Sequence, residues 1–526
     1  MRGGRSVRVV VSPAALGRRR TASCLRTAVF LFMVTFVWLQ LHMSNLTTSS
    51  KVDPIPDNDS SQAILSMVPQ ILKETKIAVP ILNRPMSNKN VLHIDKVLHK
   101  FLTSHPRNAS QTLGSGANSS FSRKLSIEEI KYNINKYNLA QTIYNEDLFG
   151  PVLNNTIVIV VQIHTRLVYL RHLIVSLAQA RFIESTLLIF SHDYYDEEIN
   201  ELVQSVDFAK VMQIFYPFSI QTHPHEFPGE SPGDCPRDIT IEQAALRKCI
   251  NALTPDLYGH YREAKFTQTK HHWWWKANRL FNQLDVLKHH TGLVLFLEED
   301  HFVAQDFLHI LHLMQQTAYA SCPTCNILSL GTYLKTYNYF GDTKKKEALR
   351  AMKRHQTLSA AAIPPSWSFQ ILPSLYQHYQ KAEVTPWISS KHNMGFALNR
   401  SVWQELWGCA RYFCSYDDYN WDWSLQHVSQ SCLTHKLVAM VMRGPRVFHI
   451  GECGVHHKKT NCESTSVISK VQRVLANTVR HLYPSHLTLT FTSGTKKHKL
   501  RKGNGGWGDL RDHQLCLNMT RYLPVR

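Results

Sequence analysis

Gly292–His301 reads GLVLFLEEDH, an apolar run that stops abruptly at three acids, Glu298, Glu299 and Asp300. A continuous apolar run of this length fits a strand buried on both faces of a parallel sheet. The carboxyl end of such a strand is where α/β sheets bind ligands. Hard carboxylate oxygens at that end suit Mg²⁺ or Mn²⁺, ions that usually hold substrate phosphates. The stretch predicts a metal–nucleotide site; the alternative is acids that merely face water at a strand end.

The flanking sequence supports a sheet of this kind. Thr156–Gln162 (TIVIVVQ), Thr186–Phe190 (TLLIF) and Val211–Phe215 (VMQIF) read as further strands. Leu167–Ala180 carries helical spacing at Leu170, Leu173, Ile174 and Leu177, and a longer helix is expected from about Thr269 to His290. Strands alternating with helices predict an α/β fold with a mostly parallel, Rossmann-like sheet. Polar residues follow each strand: Gln162, His164 and Arg166, then Asp193, then Asp300. Neither GxGxxG nor GxxxxGK[ST] occurs, which disfavours a dinucleotide oxidoreductase or a P-loop enzyme. Residues 342–390, with a basic run and two adjacent prolines, read as an insertion or long surface loop.

The 526-residue chain carries a net charge of +20. Seven arginines fall within residues 1–26, and an uncharged segment, Thr27–Met43, follows directly. That segment is near the minimum length for a membrane span. Positive charge before it predicts a single-pass anchor with a cytoplasmic N-terminus. Residues 44–124 are polar and read as a stem; 125–526 read as the globular catalytic domain. Seven N-x-S/T sequons begin at Asn45, Asn58, Asn108, Asn118, Asn154, Asn399 and Asn518, which agrees with a lumenal remainder. Ten cysteines lie beyond the anchor, an even count that reads as five disulfides. Cys322-Pro-Thr-Cys325 leaves a redox dithiol or half a zinc site open. No nucleic-acid partner is expected.

Two later stretches carry chemistry. Ser415–Trp423 (SYDDYNWDW) interleaves Asp417, Asp418 and Asp422 with aromatics, a composition common in sugar sites. Arg446–His449 ends a short apolar run in an imidazole, a candidate to complete a metal site begun at Asp300.

A set of longer blocks extends over about 125 to the C-terminus. They include FSHD (190–193), YPFSIQ (216–221), DCPRD (234–238), GHYREAKFTQTKHHWWWK (259–276), LFLEEDH (295–301), HNMG (392–395), YDDYNWDW (416–423) and NGGWGDLRDH (504–513). In these blocks the chain resembles the N-acetylglucosaminyltransferase II family of Golgi β-1,2-N-acetylglucosaminyltransferases. The resemblance implies a GT-A fold, Mn²⁺, UDP-N-acetylglucosamine as donor and a mannose-terminated N-glycan as acceptor. It implies a type II Golgi membrane protein with a lumenal catalytic domain. Donor contacts are implied at Gln162, Ile163, His164, Thr165, Arg166, Asp193, Gln268, Thr269, Lys270, His271 and His272. Metal ligands are implied at Asp300 and His449, and the catalytic base at Asp422. The implied disulfides are Cys235–Cys249, Cys322–Cys325, Cys409–Cys432, Cys414–Cys516 and Cys453–Cys462.

Three departures from the family pattern bear on the acceptor: Thr165 and Leu167 in QIHTRL, Lys335–Tyr337 where an Arg is usual, and the insertion that follows. They keep a related transferase with another mannose acceptor as an alternative. A non-catalytic, lectin-like relative predicts erosion of Asp300, Asp422 or His449, and all three stand.

Overall fold

A computed structural model describes residues 96–103, 125–332, 379–451, 464–492 and 502–521. All belong to one compact unit, Asn88–Arg526. Thr27–Met43, Cys453 and Cys462, Tyr337 and most of the expected insertion lie outside the described residues. Among the described residues no helix is long and apolar enough to cross a membrane.

The frame is a ten-stranded sheet. One half joins β2 (Val158–Ile163), β3 (Leu187–His192), β4 (Lys210–Phe215) and β5 (Val294–Glu298), all mutually parallel in the order β4-β3-β2-β5. A two-residue strand, β1 (Ile143–Tyr144), edges it antiparallel to β4. The other half is mixed. It runs through β9 (Phe396–Leu398), β7 (Ile327–Ser329), β10 (Val438–Met442), β8 (Lys381–Pro386) and β12 (Thr488–Phe491). The parallel expectation therefore holds for the half that begins the site, and β9 reverses direction between β5 and β7.

Strand residues alternate between two cores, because successive Cβ atoms leave opposite faces of a sheet. Ile159, Val161, Leu188, Phe190, Leu295 and Leu297 pack under α2 (Leu167–Ala178) and α5 (Phe307–Ser321), with α3 (Glu197–Gln204) beside them. Val158, Val160, Leu187, Ile189, Val294 and Phe296 meet α4 (Ala264–Asn278), α6 (Trp421–Ser431) and α8 (Leu510–Arg521). Three consecutive tryptophans of α4, Trp273–Trp275, are buried in this second layer. The expected helix from Thr269 to His290 is corrected: α4 starts at Ala264 and ends at Asn278, and a widened turn at Arg279–Gln283 follows.

The insertion reading also needs correction at its end. Residues 381–386 are a strand inside the main sheet, paired on both sides, and alternate in burial. Sequence missed it because the strand is polar on one face. Four of the five implied disulfides are present, Cys235–Cys249, Cys322–Cys325, Cys409–Cys432 and Cys414–Cys516. Cys322 and Cys325 are thus a cross-link within a turn rather than a zinc half-site.

Within the stretch read as stem, Lys96–Phe101 forms a short 3₁₀ helix that docks on the catalytic body. Phe101 is 1% exposed. The buried Arg171 of α2 donates to the carbonyls of Phe101 and Thr103, both at 3.0 Å. Phe101→Ala should therefore cost about 3 kcal/mol in denaturant unfolding. A chain begun at Leu125 should melt lower than one begun at Asn88, with transfer per folded molecule unchanged.

Candidate active site

The three acids at the carboxyl end of β5 divide their work. Glu299 turns back to hold the loop after β2. Its Oε2 accepts from the His164 backbone N–H at 2.8 Å, and its Oε1 accepts from Arg166 Nε at 2.7 Å. Asp300 meets the same guanidinium, and the carboxylate oxygens of Glu298 and Asp300 and a ring nitrogen of His301 lie within 4.8 Å of one another. His301 opens a second, two-stranded ribbon: β6 (His301–Val303) pairs antiparallel with β11 (Val447–His449). In that register His449 stands opposite His301. This brings His449 Nε2 to 3.2 Å from Asp300 Oδ2 across 149 residues of sequence.

The cluster has the character of a cation site. Asp300 is 2% exposed, and its Oδ1 is buried with no hydrogen-bond partner. A buried carboxylate oxygen left unpaired is costly unless something supplies positive charge. Burial would raise the Asp300 carboxyl, yet His449 and then Arg166 hold it well below the usual carboxylate range. Burial lowers the His301 imidazole to about 3, so it stays neutral and able to ligate. Burial also acts downward on His449, but the Asp300 carboxylate outweighs it and the imidazole stays above its ordinary value. Carboxylate oxygens beside imidazole nitrogens are a donor set suited to a divalent metal ion. Glu298 and His301 were not assigned from sequence, although both sit in the EEDH run.

Gly451 gives an independent probe. A Cβ there would stand 2.2 Å from Asp300 Oδ2 and 3.1 Å from Arg166 Nη1. Neither group is a loose end, since Arg166 Nη1 is itself 2.7 Å from Asp300 Oδ2. Gly451→Ala should weaken metal binding on the order of 10–100-fold and also lower the melting temperature of the metal-free protein, because Asp300 must leave its ion pairs to make room. Calorimetry with Mn²⁺ and UDP checks it.

Asp193, just past β3, is the second anchor of the crevice. Its Oδ1 is 2.6 Å from His164 Nδ1, and its Oδ2 accepts from Gln268 Nε2 at 3.0 Å. Burial raises this carboxyl, but hydrogen bonds from His164 and His272 win and hold it well below the ordinary range. Gln268 also takes the Ile220 N–H on its Oε1 at 2.7 Å, which ties α4 to the loop after β4.

The other ten expected donor contacts separate into two groups. Gln162, His164, Thr165, Arg166, Gln268 and Thr269 are at least partly exposed around the crevice. The side chains of Ile163, Lys270, His271 and His272 are instead buried in the protein. Ile163 packs in the α2 core. Lys270 Nζ donates to the Tyr416 and Asp418 carbonyls and lies 4.1 Å from the Trp507 ring centroid. His271 meets Asp512 at 2.8 Å, and His272 meets Ser191 at 2.8 Å. These four pack within the protein rather than at the exposed rim, and His272 Nδ1 stays 3.5 Å from Asp193 Oδ2.

The three aspartates of SYDDYNWDW also separate. Asp417 accepts the backbone N–H groups of Leu257 at 2.6 Å and Trp507 at 3.0 Å. Asp418 accepts from the backbone and side chain of both Asn420 and Asn504, at 2.8–2.9 Å. Both are engaged in pinning the Gly-rich 503–508 loop. Asp422 stands apart in the first turn of α6, 8% exposed. Its Oδ2 accepts from Asn393 Nδ2 at 3.1 Å and its Oδ1 from the Trp423 N–H at 3.0 Å. Burial, followed by the Asp418 charge, pushes its carboxyl up to about 7. Glu298 is among the groups raising it, so base candidate and cation cluster feel each other's charge. Trp421 beside it stacks flat on Trp273 at 4.8 Å, which fixes the start of α6, while Trp423 stays partly exposed. Asn393, from HNMG, is a contact sequence reading did not assign.

The family model described as N-acetylglucosaminyltransferase II matches residues 131–371 and 368–516. The alpha-1,6-mannosyl-glycoprotein 2-beta-N-acetylglucosaminyltransferase of Rattus norvegicus is 42% identical over 384 residues, covering 73% of this chain and 78% of the relative. The Sus scrofa protein of the same name is 43% identical with the same coverage. The Arabidopsis thaliana one is 31% identical over 390 residues, covering 72% of this chain and 78% of its own.

Proposed function

The chain belongs to the N-acetylglucosaminyltransferase II family, and on that premise we propose that it transfers N-acetylglucosamine from UDP-N-acetylglucosamine to the 2-OH of the α-1,6-arm mannose of N-glycans. The observation that carries the reading is the approach of Asp300, His449, Glu298 and His301 beside a separately held Asp422. Asp300, His449, Glu298 and His301 would hold Mn²⁺, which when bound supplies positive charge to the diphosphate leaving group. His164, Asp193 and Gln268 form a linked polar wall at the carboxyl ends of β2 and β3, where a sugar nucleotide fits a GT-A fold. Arg166 contributes a guanidinium, 32% exposed, to the same rim.

The reaction makes a β-glycoside from an α-linked donor, so a single in-line displacement inverts the anomeric carbon. Asp422 takes the mannose 2-OH proton as the new C1–O bond forms. The old C1–O bond to phosphate breaks, and UDP leaves with that electron pair. UDP is a stable anion, so no protein acid is needed. A base with its carboxyl near 7 suits the task, because it is basic enough to accept the proton yet largely ionised just above neutrality.

The basic residues of 1–26 and the apolar Thr27–Met43 support a type II Golgi membrane protein with this domain in the lumen. The test is transfer from UDP-N-acetylglucosamine to an N-glycan with a free α-1,6-arm mannose, with Mn²⁺ and with chelator. Metal-dependent β-1,2 product is expected. Product only on a different mannose acceptor would support the related-transferase alternative, which the exposed Thr165 favours. UDP binding without transfer to any acceptor would support the lectin-like one.

A further inference from the structure

Lys276 has no part in the account above, yet it lies beneath the site. It sits near the end of α4 and is 1% exposed. Its Nζ donates to Gln162 Oε1 at 2.6 Å. Gln162 and Glu298 are register partners in parallel strands, so both side chains leave the sheet on the face that α4 covers. Burial acts against the charge of Lys276, while the Glu298 and Asp193 carboxylates favour it.

An ammonium carries donors and no acceptor. Only the carbonyl oxygen of the Gln162 amide can meet it, and the amide's NH₂ must then turn the other way. Gln162 is partly exposed at the carboxyl end of β2. Resting on the donor-crevice reading above, we propose that Lys276 is a positioning residue. It locks the Gln162 amide so that its two N–H donors, and not its carbonyl, face the crevice. Gln162 thereby recognises an acceptor oxygen of the nucleotide, a pyrimidine carbonyl or a phosphate oxygen, and rejects a donor group at the same place. The role belongs to Lys276 through Gln162; Lys276 itself touches no ligand.

The experiment is a double-mutant cycle read by calorimetry of UDP in the presence of Mn²⁺. It uses Lys276→Met, Gln162→Ala and the double variant, with thermal melting alongside. Each single change should weaken UDP binding on the order of 10-fold. The double should be no weaker than Gln162→Ala alone, because the lysine acts only through that amide. Lys276→Gln, which keeps a neutral donor, should recover most of the affinity; a merely structural cation would not be replaced this way. It also serves if the Met variant fails to fold. Additive losses in the cycle, or no recovery with Gln, overturn the proposal. Repeating it with UMP and uridine separates the sources: a loss that persists in uridine identifies a base or sugar oxygen, and one confined to UDP identifies the diphosphate. Unchanged affinity in Gln162→Ala overturns this proposal while leaving the transferase reading standing. Absence of UDP binding by the native protein removes the transferase reading itself.

Discussion

Asp422→Asn is expected to cut transfer by on the order of 10²–10⁴-fold while UDP and Mn²⁺ still bind. The amide keeps the size and one acceptor for the Trp423 N–H or Asn393 Nδ2, but it cannot take a proton. The carboxyl is raised to about 7, by burial first and by Asp418 next. A base must be unprotonated, so native transfer should climb as pH rises through about 7 and level above it. The residual rate of the Asn variant should not follow that limb. Stability moves the other way. The folded carboxyl titrates above its unfolded value of about 4, so the folded state keeps its proton longer. Ionising it costs stability progressively from about pH 4 to about pH 7, and the cost is full above that. Asp422→Asn lacks this cost and should melt at the same or a higher temperature at pH 8, with the difference closing toward pH 4. Loss of transfer and of melting temperature together, at pH 8, would reassign Asp422 to the scaffold.

Asp300→Ala should abolish Mn²⁺-dependent UDP binding, a loss well beyond the 10–100-fold typical of groups that only support a ligand. Native protein should gain melting temperature when Mn²⁺ and UDP are added together, because a ligand that binds only the folded state stabilises it. The Ala variant should gain none. Without ligand it should also be less stable than native at neutral pH. The Asp300 carboxyl is depressed despite its burial, chiefly by His449 and Arg166. Its stabilising contribution is present above the unfolded value near 4 and fades as pH falls through the lower folded one. The deficit of Asp300→Ala should therefore shrink in acid. Calorimetry showing native UDP–Mn²⁺ affinity in this variant would remove Asp300 from the site.

The contrast among the three clustered aspartates shows where sequence reading stops. In SYDDYNWDW they are equivalent by composition, and nothing local ranks Asp417 or Asp418 below Asp422 as a base. Only hydrogen bonding separates them. Asp418 is fully buried and saturated by four N–H donors, so moving it would release the 503–508 loop. Similarly, HHWWWK is recognisable as a block, but which way its side chains point depends on the face α4 turns to the sheet. Lys270 turns to the Tyr416 and Asp418 carbonyls, His271 to Asp512 and His272 to Ser191, while Gln268 and Thr269 stay partly exposed.

Sequence alone determined the parallel strands and their polar ends, because apolar runs, strand periodicity and the residues that follow them are local properties of the chain. It also determined the family, since the quoted blocks are long and unusual in composition. What tertiary structure decided is non-local. The β6–β11 ribbon brings His449 to Asp300, β8 turns the end of an apparent insertion into a sheet strand, and Phe101 ties part of an apparent stem to the core. Each depends on pairing or packing between segments far apart in the chain, and no local pattern encodes which partner a buried carboxylate, a half-polar strand or a lone phenylalanine will meet.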